Sequence, residues 1–316
     1  MEVLRGLFAP LPRLATPVAT LGAFDGVHRG HQRILSEVVA WAAELRGAAV
    51  VLTFDPLPKA VVGRGEALCL TSLPHRLALM EAMGLDLAVV VPFDGAVAEM
   101  PAEEFARRVL LGWLGSRHLV FGHDSTFGRG AEGNLALLRR LEAQGLLAVR
   151  SPQPVRYRGK AISSTSIRQA IARGALREAA AMLGRPVSLL GTVVRGEGRG
   201  ASLGFPTANL DLHHEAIPPE GIYAGLTAIE GGNWPALVYV GRRPTFQPSE
   251  ADTSIEVHII GYQGDLYGRA LEVQFITRLR DDKRFPSPEA LIAQMHADRA
   301  AALAAFRRAT RRTKPS

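Results

Sequence analysis

Two histidines lie in a glycine-rich segment near the start of the chain, Gly22-Ala-Phe-Asp-Gly-Val-His28-Arg-Gly30-His31, between a predicted strand and a predicted helix. Glycines let such a loop approach a ligand closely. The N-terminus of the following helix offers free N–H groups and the positive end of the helix dipole, which suit a phosphate. The spacing predicts that His28 and His31 face one ligand, and a nucleoside triphosphate fits. Two surface histidines are one alternative, and a zinc site is another, although it lacks a third ligand nearby.

A second group of residues suited to phosphate is the run Ile162-Ser-Ser-Thr-Ser-Ile-Arg168. Several hydroxyls followed by an arginine at a predicted helix start can donate hydrogen bonds to phosphate oxygens. Ser164 or Thr165 can also serve as the N-cap of that helix. The two interpretations are compatible with each other.

A glycine-rich loop in the second half, Gly196-Glu-Gly-Arg-Gly200-Ala201, has the letters of a dinucleotide-binding fingerprint. That fingerprint follows a strand and opens a helix. Here Pro206 and a segment without helical periodicity follow, so we reject the Rossmann interpretation. A glycine-rich loop can still wrap around a nucleotide.

Thr207 and Asn209 follow this loop at alternate positions of one extended segment. Alternate positions of a strand face the same side, so the two side-chain oxygens point to one place. Oxygen ligands of this kind suit Mg²⁺, which keeps several waters and bridges ATP phosphates. The alternative is a polar pair on an edge strand.

The elements that must position these residues alternate in the first half between strand-like and helix-like patterns. This alternation predicts βαβ units and a doubly wound parallel sheet of the α/β class. In such folds the ligand binds in the loops beyond the carboxyl ends of the strands. We predict strands over residues 17–24, 48–54, 87–92 and 118–121, and helices over 32–45, 72–83 and 102–114.

The pattern changes near residues 184–186, and closely spaced short strands with Gly/Pro-rich turns follow. They predict an antiparallel sheet or small β-barrel, closed by a helix over 287–307. We therefore expect two domains, 1–186 and 187–316. The predicted strands are 187–194, 222–229, 236–240, 255–260 and 270–275.

The motifs of the first half resemble the nucleotidylyltransferase superfamily, and specifically the N-terminal module of bacterial bifunctional riboflavin kinase/FAD synthetases. Thr53-Phe54-Asp55-Pro56, Asp124 and Phe127-Gly128 extend the match, whereas Leu57, Ser125 and Ala131 depart from the family pattern. The resemblance implies that Ser164, Thr165 and Arg168 hold the triphosphate, and that His28 and His31 hold ATP phosphates. It also implies that ATP binds at Gly22, Phe24, Asp25 and Gly30, and that the flavin site is lined by Phe54, Pro56, Asp124 and Phe127.

The second half is similar to the riboflavin kinase module of the same family. The similarity rests on Leu203-Gly-Phe-Pro-Thr-Ala-Asn-Leu, Gly221-Ile-Tyr-Ala, Arg243-Pro-Thr-Phe, Glu256-Val-His and Asp265-Leu-Tyr-Gly, with a departure at Ala201. It implies that Arg280 and Lys283 bind flavin or phosphate. Glu256 would accept the proton of the ribityl hydroxyl, an alcohol that is not ionised at neutral pH. ATP would lie against Gly196, Gly200, Gly204, Phe205 and Pro206.

The resemblance implies an enzyme that uses ATP and Mg²⁺ first to phosphorylate riboflavin to FMN and then to adenylylate FMN to FAD. One alternative is a riboflavin kinase whose first domain transfers nucleotidyl groups to another acceptor or has weakened. Another is a flavin-binding storage or sensor protein without turnover. The number of residues suited to phosphate and proton transfer argues against a simple binding protein.

Charge and cysteine content set limits on partners and compartment. The net charge is +7, but five basic residues lie in the tail 307–316, which leaves +2 for the rest of the chain. A short basic tail is usually solvated, so we expect no nucleic-acid partner. A single cysteine, Cys69, excludes an internal disulfide and fits a reducing compartment. With no signal peptide or membrane span predicted, we expect a cytoplasmic enzyme with small-molecule substrates.

Overall fold

The computed structural model describes residues 1–58, 68–196, 200, 203–212, 215–242 and 253–311. The chain forms two compact units, Met1–Ser164 and Thr165–Ser316. The boundary expected at about residue 186 from the sequence lies inside the second unit. Two helices precede it there, and the strands of the barrel follow it.

The first unit contains a six-stranded sheet in which every strand is parallel to its neighbours, in the order β1-β4-β3-β2-β5-β6. From β2 the chain adds β3 and β4 on one side of the sheet, and then β5 and β6 on the other side. The strand order therefore reverses between β2 and β5. Ligands bind at such a switch point in doubly wound folds. The strands are Glu2–Arg5 (β1), Val18–Leu21 (β2), Ala49–Phe54 (β3), Leu87–Val91 (β4), His118–Val120 (β5) and Ala148–Arg150 (β6).

Buried apolar residues cover both faces of this sheet, because helices pack on each side. Leu52 and Val89 belong to one core cluster, whereas Val51 and Ala88 belong to the other. Alternate residues of buried strands therefore face opposite cores. The predicted doubly wound parallel sheet is confirmed. The helices are Arg29–Glu44 (α1), Leu73–Glu81 (α2), Gly95–Ala98 (α3), Ala102–Glu104 (α4), which continues as a π-helix over Phe105–Trp113, and Leu135–Ala143 (α5).

The second unit is built around a closed antiparallel barrel with the strand order β10-β13-β12-β11-β14-β9. The predicted small barrel with a closing helix is confirmed. The barrel is preceded by a β-hairpin of Arg156–Tyr157 (β7) and Lys160–Ala161 (β8) in the first unit, and by the helices Ser164–Ala172 (α6) and Leu176–Leu183 (α7). Its strands are Ser188–Val194 (β9), Ala208–Leu212 (β10), Gly221–Ile229 (β11), Gly232–Arg242 (β12), Thr253–Ile259 (β13) and Ala270–Arg280 (β14).

The last helix, Pro288–Arg311 (α8), packs on the outside of the barrel. Ala302 and Ala305 of α8 are buried against Ile222, Ala224 and Leu237 of β11 and β12. Side chains that point outward from these strands are therefore covered by α8 instead of facing water. Among the described residues, no helix is both long enough and apolar enough to cross a membrane.

Candidate active sites

The loop after β2 is held in place by hydrogen bonds to other parts of the first unit. The Asp25 carboxylate accepts hydrogen bonds from the backbone N–H groups of Leu70 at 2.7 Å and Thr71 at 3.2 Å. The Ser164 hydroxyl donates to the carbonyl of Asp25 at 2.9 Å. Phe24 adopts a positive φ of 49° and is 3% exposed. Asp25 and Phe24, which were expected to contact ATP, thus fix the shape of this loop.

His28 and His31 lie together at the N-terminus of α1. His28 is the N-cap, and its Nδ1 accepts the backbone N–H of His31 at 3.3 Å. A neutral His28 therefore carries its proton on Nε2. The ring of His31 stacks on that of His28 and meets Phe24 edge-on, with centroids 5.2 Å apart. The structure brings the two histidines together at a helix N-terminus, and their binding of phosphate stays a prediction.

Burial, the neighbouring His28 and then the positive charge of Arg76 lower the pKa of His31 well below its ordinary value. His31 is therefore neutral at pH 7. Its Nδ1 is enclosed and has no hydrogen-bond partner among the described residues. A neutral imidazole can donate one N–H to a phosphate oxygen without adding a charge of its own.

The hydroxyl-rich run coincides with the start of α6, the helix that begins at Ser164. Thr165 is exposed and Arg168, one turn later, is half-buried. The sequence expectation that this run opens a helix agrees with the structure.

The residues expected at the flavin lie at the carboxyl ends of β3 and β5, but they differ in exposure. Phe54 and Phe127 are buried, 8% and 7% exposed. Phe127 contacts the rings of Phe105 and Phe121 with centroids 5.8 Å and 5.6 Å away. Their rings therefore form the wall of the core below the loops. By contrast, Pro56, Asp124 and Ala131 are exposed, whereas Leu57 and Ser125 are half-buried.

Five residues of the barrel, one from each of five neighbouring strands, form a row across the sheet. Each residue of the row is paired directly with the next one. Asn209 of β10 is opposite Glu256 of β13, which is opposite Tyr239 of β12. Tyr239 is opposite Ile222 of β11, and Ile222 is opposite Arg280 of β14. Directly opposed residues of an antiparallel sheet share a face. Ile222 is buried against α8, so this row lies on the outer face of the barrel.

Thr207, just before β10, joins this row because its hydroxyl donates to Glu256 Oε2 at 3.2 Å. The structure thus brings together Thr207, Asn209 and Glu256, three residues with side-chain oxygens that the sequence assigned to the kinase reaction. Tyr239 was not assigned from the sequence. Its hydroxyl donates to Asp282 at 3.1 Å, and burial, Asp282 and Glu256 raise its pKa to about 12.

Two described glycines beside this row leave no space for a side chain, and a third has a backbone conformation that favours glycine. A Cβ at Gly196 would overlap the side chain of Asn209, and one at Gly200 would overlap the carbonyl of Phe205. Gly204 has a positive φ of 82° and, like Pro206, is exposed. Residues 197–199, Ala201 and the run 243–246 lie outside the described residues.

The ring of Phe205 is 1% exposed and lies between the rings of His258 and His296, at 5.2 Å and 5.1 Å. The Nδ1 of His258 is 2.9 Å from the carbonyl of Pro206. Phe205 and His258 therefore attach the segment that carries Thr207 to the barrel. His258 lies two residues after Glu256 in the same strand, so both side chains are on one face. This spacing in the Glu256-Val-His motif could have indicated that His258 lies beside the site.

Arg280 is tied to α8 by a two-pronged ion pair. Its Nε and Nη2 donate to the carboxylate of Asp298 at distances of 2.8–3.1 Å. Lys283 donates to Gln294 of the same helix at 2.9 Å. An open cleft of about 520 Å³ lies between this loop and α8, lined by Lys283, Phe285, Pro286, Ala293, Gln294 and Ala297. Lys283 thus lines an open depression beside α8, whereas Arg280 holds the strand against the helix.

Comparison with known proteins identifies relatives of both units. The family model for FAD synthetase matches residues 12–166, and the model for riboflavin kinase matches residues 183–306. Curated relatives named bifunctional riboflavin kinase/FMN adenylyltransferase match nearly the whole chain. The protein from Pseudomonas fluorescens is 36% identical and the one from Haemophilus influenzae 32%, and the matches cover 96% and 97% of this chain and 97% and 99% of theirs.

A solved structure, named as a macrolide-efflux protein from Streptococcus pneumoniae, has the same fold. It aligns with a TM-score of 0.80 at 28% identity, over 96% of this chain and 99% of its own.

Proposed function

The chain belongs to the family of bifunctional riboflavin kinase/FMN adenylyltransferases, which convert riboflavin to FMN and FMN to FAD, and we propose which of its residues carry out each step. The pair His28 and His31 supports the assignment of adenylyl transfer to the first unit. The row Asn209, Glu256 and Tyr239 supports the assignment of phosphoryl transfer to the barrel. The register that sets Glu256 beside Asn209 is the observation that carries this proposal.

In adenylyl transfer, a phosphate oxygen of FMN attacks the α-phosphorus of ATP, and the bond to the departing pyrophosphate breaks. The FMN phosphate is already ionised at pH 7, so this step requires no general base. The site must align the two phosphates and stabilise the charge that develops on them. His28 and His31 supply N–H donors at the positive end of α1. The Ser164 hydroxyl, which donates to the Asp25 carbonyl, holds the loop that leads to them.

In phosphoryl transfer, the ribityl 5′-hydroxyl attacks the γ-phosphorus of ATP and the bond to ADP breaks. That hydroxyl loses its proton during the step, and Glu256 accepts it. Thr207 orients the carboxylate through the 3.2 Å hydrogen bond to Oε2. Tyr239 keeps its proton at neutral pH because its pKa is raised to about 12, so it acts as a donor to Asp282 and not as a base.

The oxygen donors around Glu256 fit Mg²⁺, which prefers oxygen ligands. Thr207 and Asn209 would hold the ion, because the close approach of Gly196 fixes the Asn209 side chain and the barrel ladder fixes its backbone. Bound there, Mg²⁺ would neutralise charge on the ATP phosphates. Within the described residues, no group of three or more His, Cys, Asp or Glu side chains could hold a metal.

We place the two reactions in domains 1–186 and 187–316 and locate the enzyme in the cytoplasm, where its co-substrate ATP is abundant. All strands of the barrel and the helix α8 lie within the second of these domains. A fragment of residues 187–316 should convert riboflavin to FMN and stop there. Incubation with riboflavin and Mg-ATP, followed by chromatography of the flavins, tests this assignment. FAD made by the fragment, or no product beside an active full-length chain, would contradict it.

A further inference from the structure

Arg76, on the helix α2, is a buried cation that the roles assigned above do not use. It is 1% exposed and is one of the largest fully buried side chains among the described residues. Its Nη1 donates to the carbonyl of Ala23 at 2.7 Å and its Nη2 to the carbonyl of Phe54 at 2.9 Å. Ala23 belongs to the loop after β2 and Phe54 is the last residue of β3, so one guanidinium joins the ends of two adjacent strands.

Both ends lead directly to residues of the proposed adenylyl-transfer site. Ala23 precedes Phe24, whose ring meets His31 edge-on. Phe54 precedes Asp55 and the Pro56 that was assigned to the flavin side. A planar guanidinium can bridge two acceptors at fixed spacing, which a lysine ammonium cannot do in the same way.

The cost of burying Arg76 indicates that stability alone does not explain it. Desolvation lowers its pKa, although the negative charges of Asp25 and Asp55 oppose that effect. Its Nε is enclosed without a hydrogen-bond partner among the described residues. Apolar side chains of similar volume often stabilise a core as well as a buried charge does.

We propose that Arg76 is a positioning residue for adenylyl transfer, which fixes the nucleotide-side loop and the flavin-side end of β3 against each other. The inference rests on the assignment of adenylyl transfer to the first unit. Arg76 acts through the two carbonyls and therefore sets the distance between the reacting phosphates. Its charge also acts on His31, on which His28 stacks.

The test compares Arg76→Met and Arg76→Lys in the full chain with Met80→Ala. Met80 lies on the same helix and is 0% exposed, and it packs in the core cluster that also contains Phe24. The Met80 variant therefore loses core packing but keeps the two hydrogen bonds from Arg76 to the carbonyls of Ala23 and Phe54. Riboflavin phosphorylation in the same preparations serves as an internal control.

We expect kcat for FAD formation from FMN to fall by about 10² in Arg76→Met, the cost of a misplacement of about 1 Å, with KM for ATP and FMN changing less. Arg76→Lys should recover part of that loss. The pKa of His31, followed by NMR of its imidazole, should rise in Arg76→Met and stay unchanged in Met80→Ala. Folded Arg76 variants with wild-type kcat would overturn the proposal, and so would a loss of folding in both of them.

His31→Ala separates this inference from the site assignment beneath it. If His31→Ala abolishes FAD formation and both Arg76 variants retain it, only the role of Arg76 is wrong. If His31→Ala retains FAD formation, the assignment of the site itself is wrong.

Discussion

The imidazole rings of His28 and His31 are stacked, with centroids 3.6 Å apart and planes 18° from parallel. Two stacked imidazoles at this distance repel each other if both are protonated. Together with the burial of His31, this proximity lowers the pKa of His31 and keeps its ring neutral at pH 7. The stack thus presents the uncharged ring of His31 at the N-terminus of α1, a place that suits anionic phosphates.

Replacement of His31 by alanine should remove one of these donors from the adenylyl-transfer site. We expect the rate of FAD formation from FMN to fall by about 10²–10³, as for the loss of one preorganised donor. FMN formation from riboflavin should be unchanged. His118→Ala is the control, because His118 begins β5 and therefore lies at the amino ends of the parallel strands, opposite the loops that carry His28 and His31. Equal losses of both activities in His31→Ala would place the two reactions on the wrong units.

The lowered pKa of His31 should make the first unit less stable in acid. Below about pH 6.5, the unfolded chain binds a proton at His31 that the folded chain does not bind, so the free energy of unfolding falls as the pH decreases. His31→Gln should weaken this dependence. A Trp234→Phe background leaves Trp41 and Trp113, both in the first unit, as fluorescence probes of urea unfolding. An identical pH dependence with and without His31 would refute the explanation.

Replacement of Glu256 by glutamine keeps the size of the side chain but removes the proton acceptor. FMN formation from riboflavin should drop by about 10²–10⁴. FAD formation from supplied FMN should persist, since that reaction starts from an ionised phosphate. Glu230→Gln is the control, because Glu230 is exposed in the turn at the other end of the barrel and pairs with Arg269. If Glu256→Gln still phosphorylates riboflavin at nearly the wild-type rate, Glu256 is not the proton acceptor and is an ordinary strand residue.

The ion pair between Arg280 and Asp298 should stabilise the barrel against α8. The two side chains are 17% and 6% exposed, so Asp298→Ala leaves a largely buried charge without its partner. We expect a loss of about 3–5 kcal/mol in the free energy of unfolding. Asp281→Ala breaks the exposed pair with Arg278 and should cost about 0–1 kcal/mol. Urea unfolding monitored at Trp234 compares the two, and equal effects would argue against a structural role for Asp298.

The sequence predicted the fold class of both units, because the change from alternating helices and strands to closely spaced strands is a periodicity signal. Boundaries were less accurate. The strand predicted over 17–24 ends at Leu21, since the positive φ of Phe24 turns the backbone into the ligand loop. β10 was not predicted as a separate strand, because its residues were interpreted as part of a binding motif and do not alternate clearly between apolar and polar types.

The sequence predicted which residues belong to the site, but it did not predict the contacts between them. Thr207 and Glu256 were assigned separately, and only the barrel register shows that they share a hydrogen bond. Arg76 and Asp298 were missed as site residues because their roles depend on partners distant in sequence, Ala23 and Arg280. No local spacing could have indicated either contact.

The closure of the barrel has a consequence for how the chain is synthesised. β9, the first barrel strand to be synthesised, pairs with β14, which is the last, so this pair cannot form until the whole barrel has been synthesised. A nascent chain that has not yet extended through Ala270–Arg280 carries unpaired sheet edges at β9 and β11. Open edges of this kind attach to other chains. We therefore expect chains that are interrupted within the second half to aggregate or to be degraded through the open barrel segment, even though their first unit is complete.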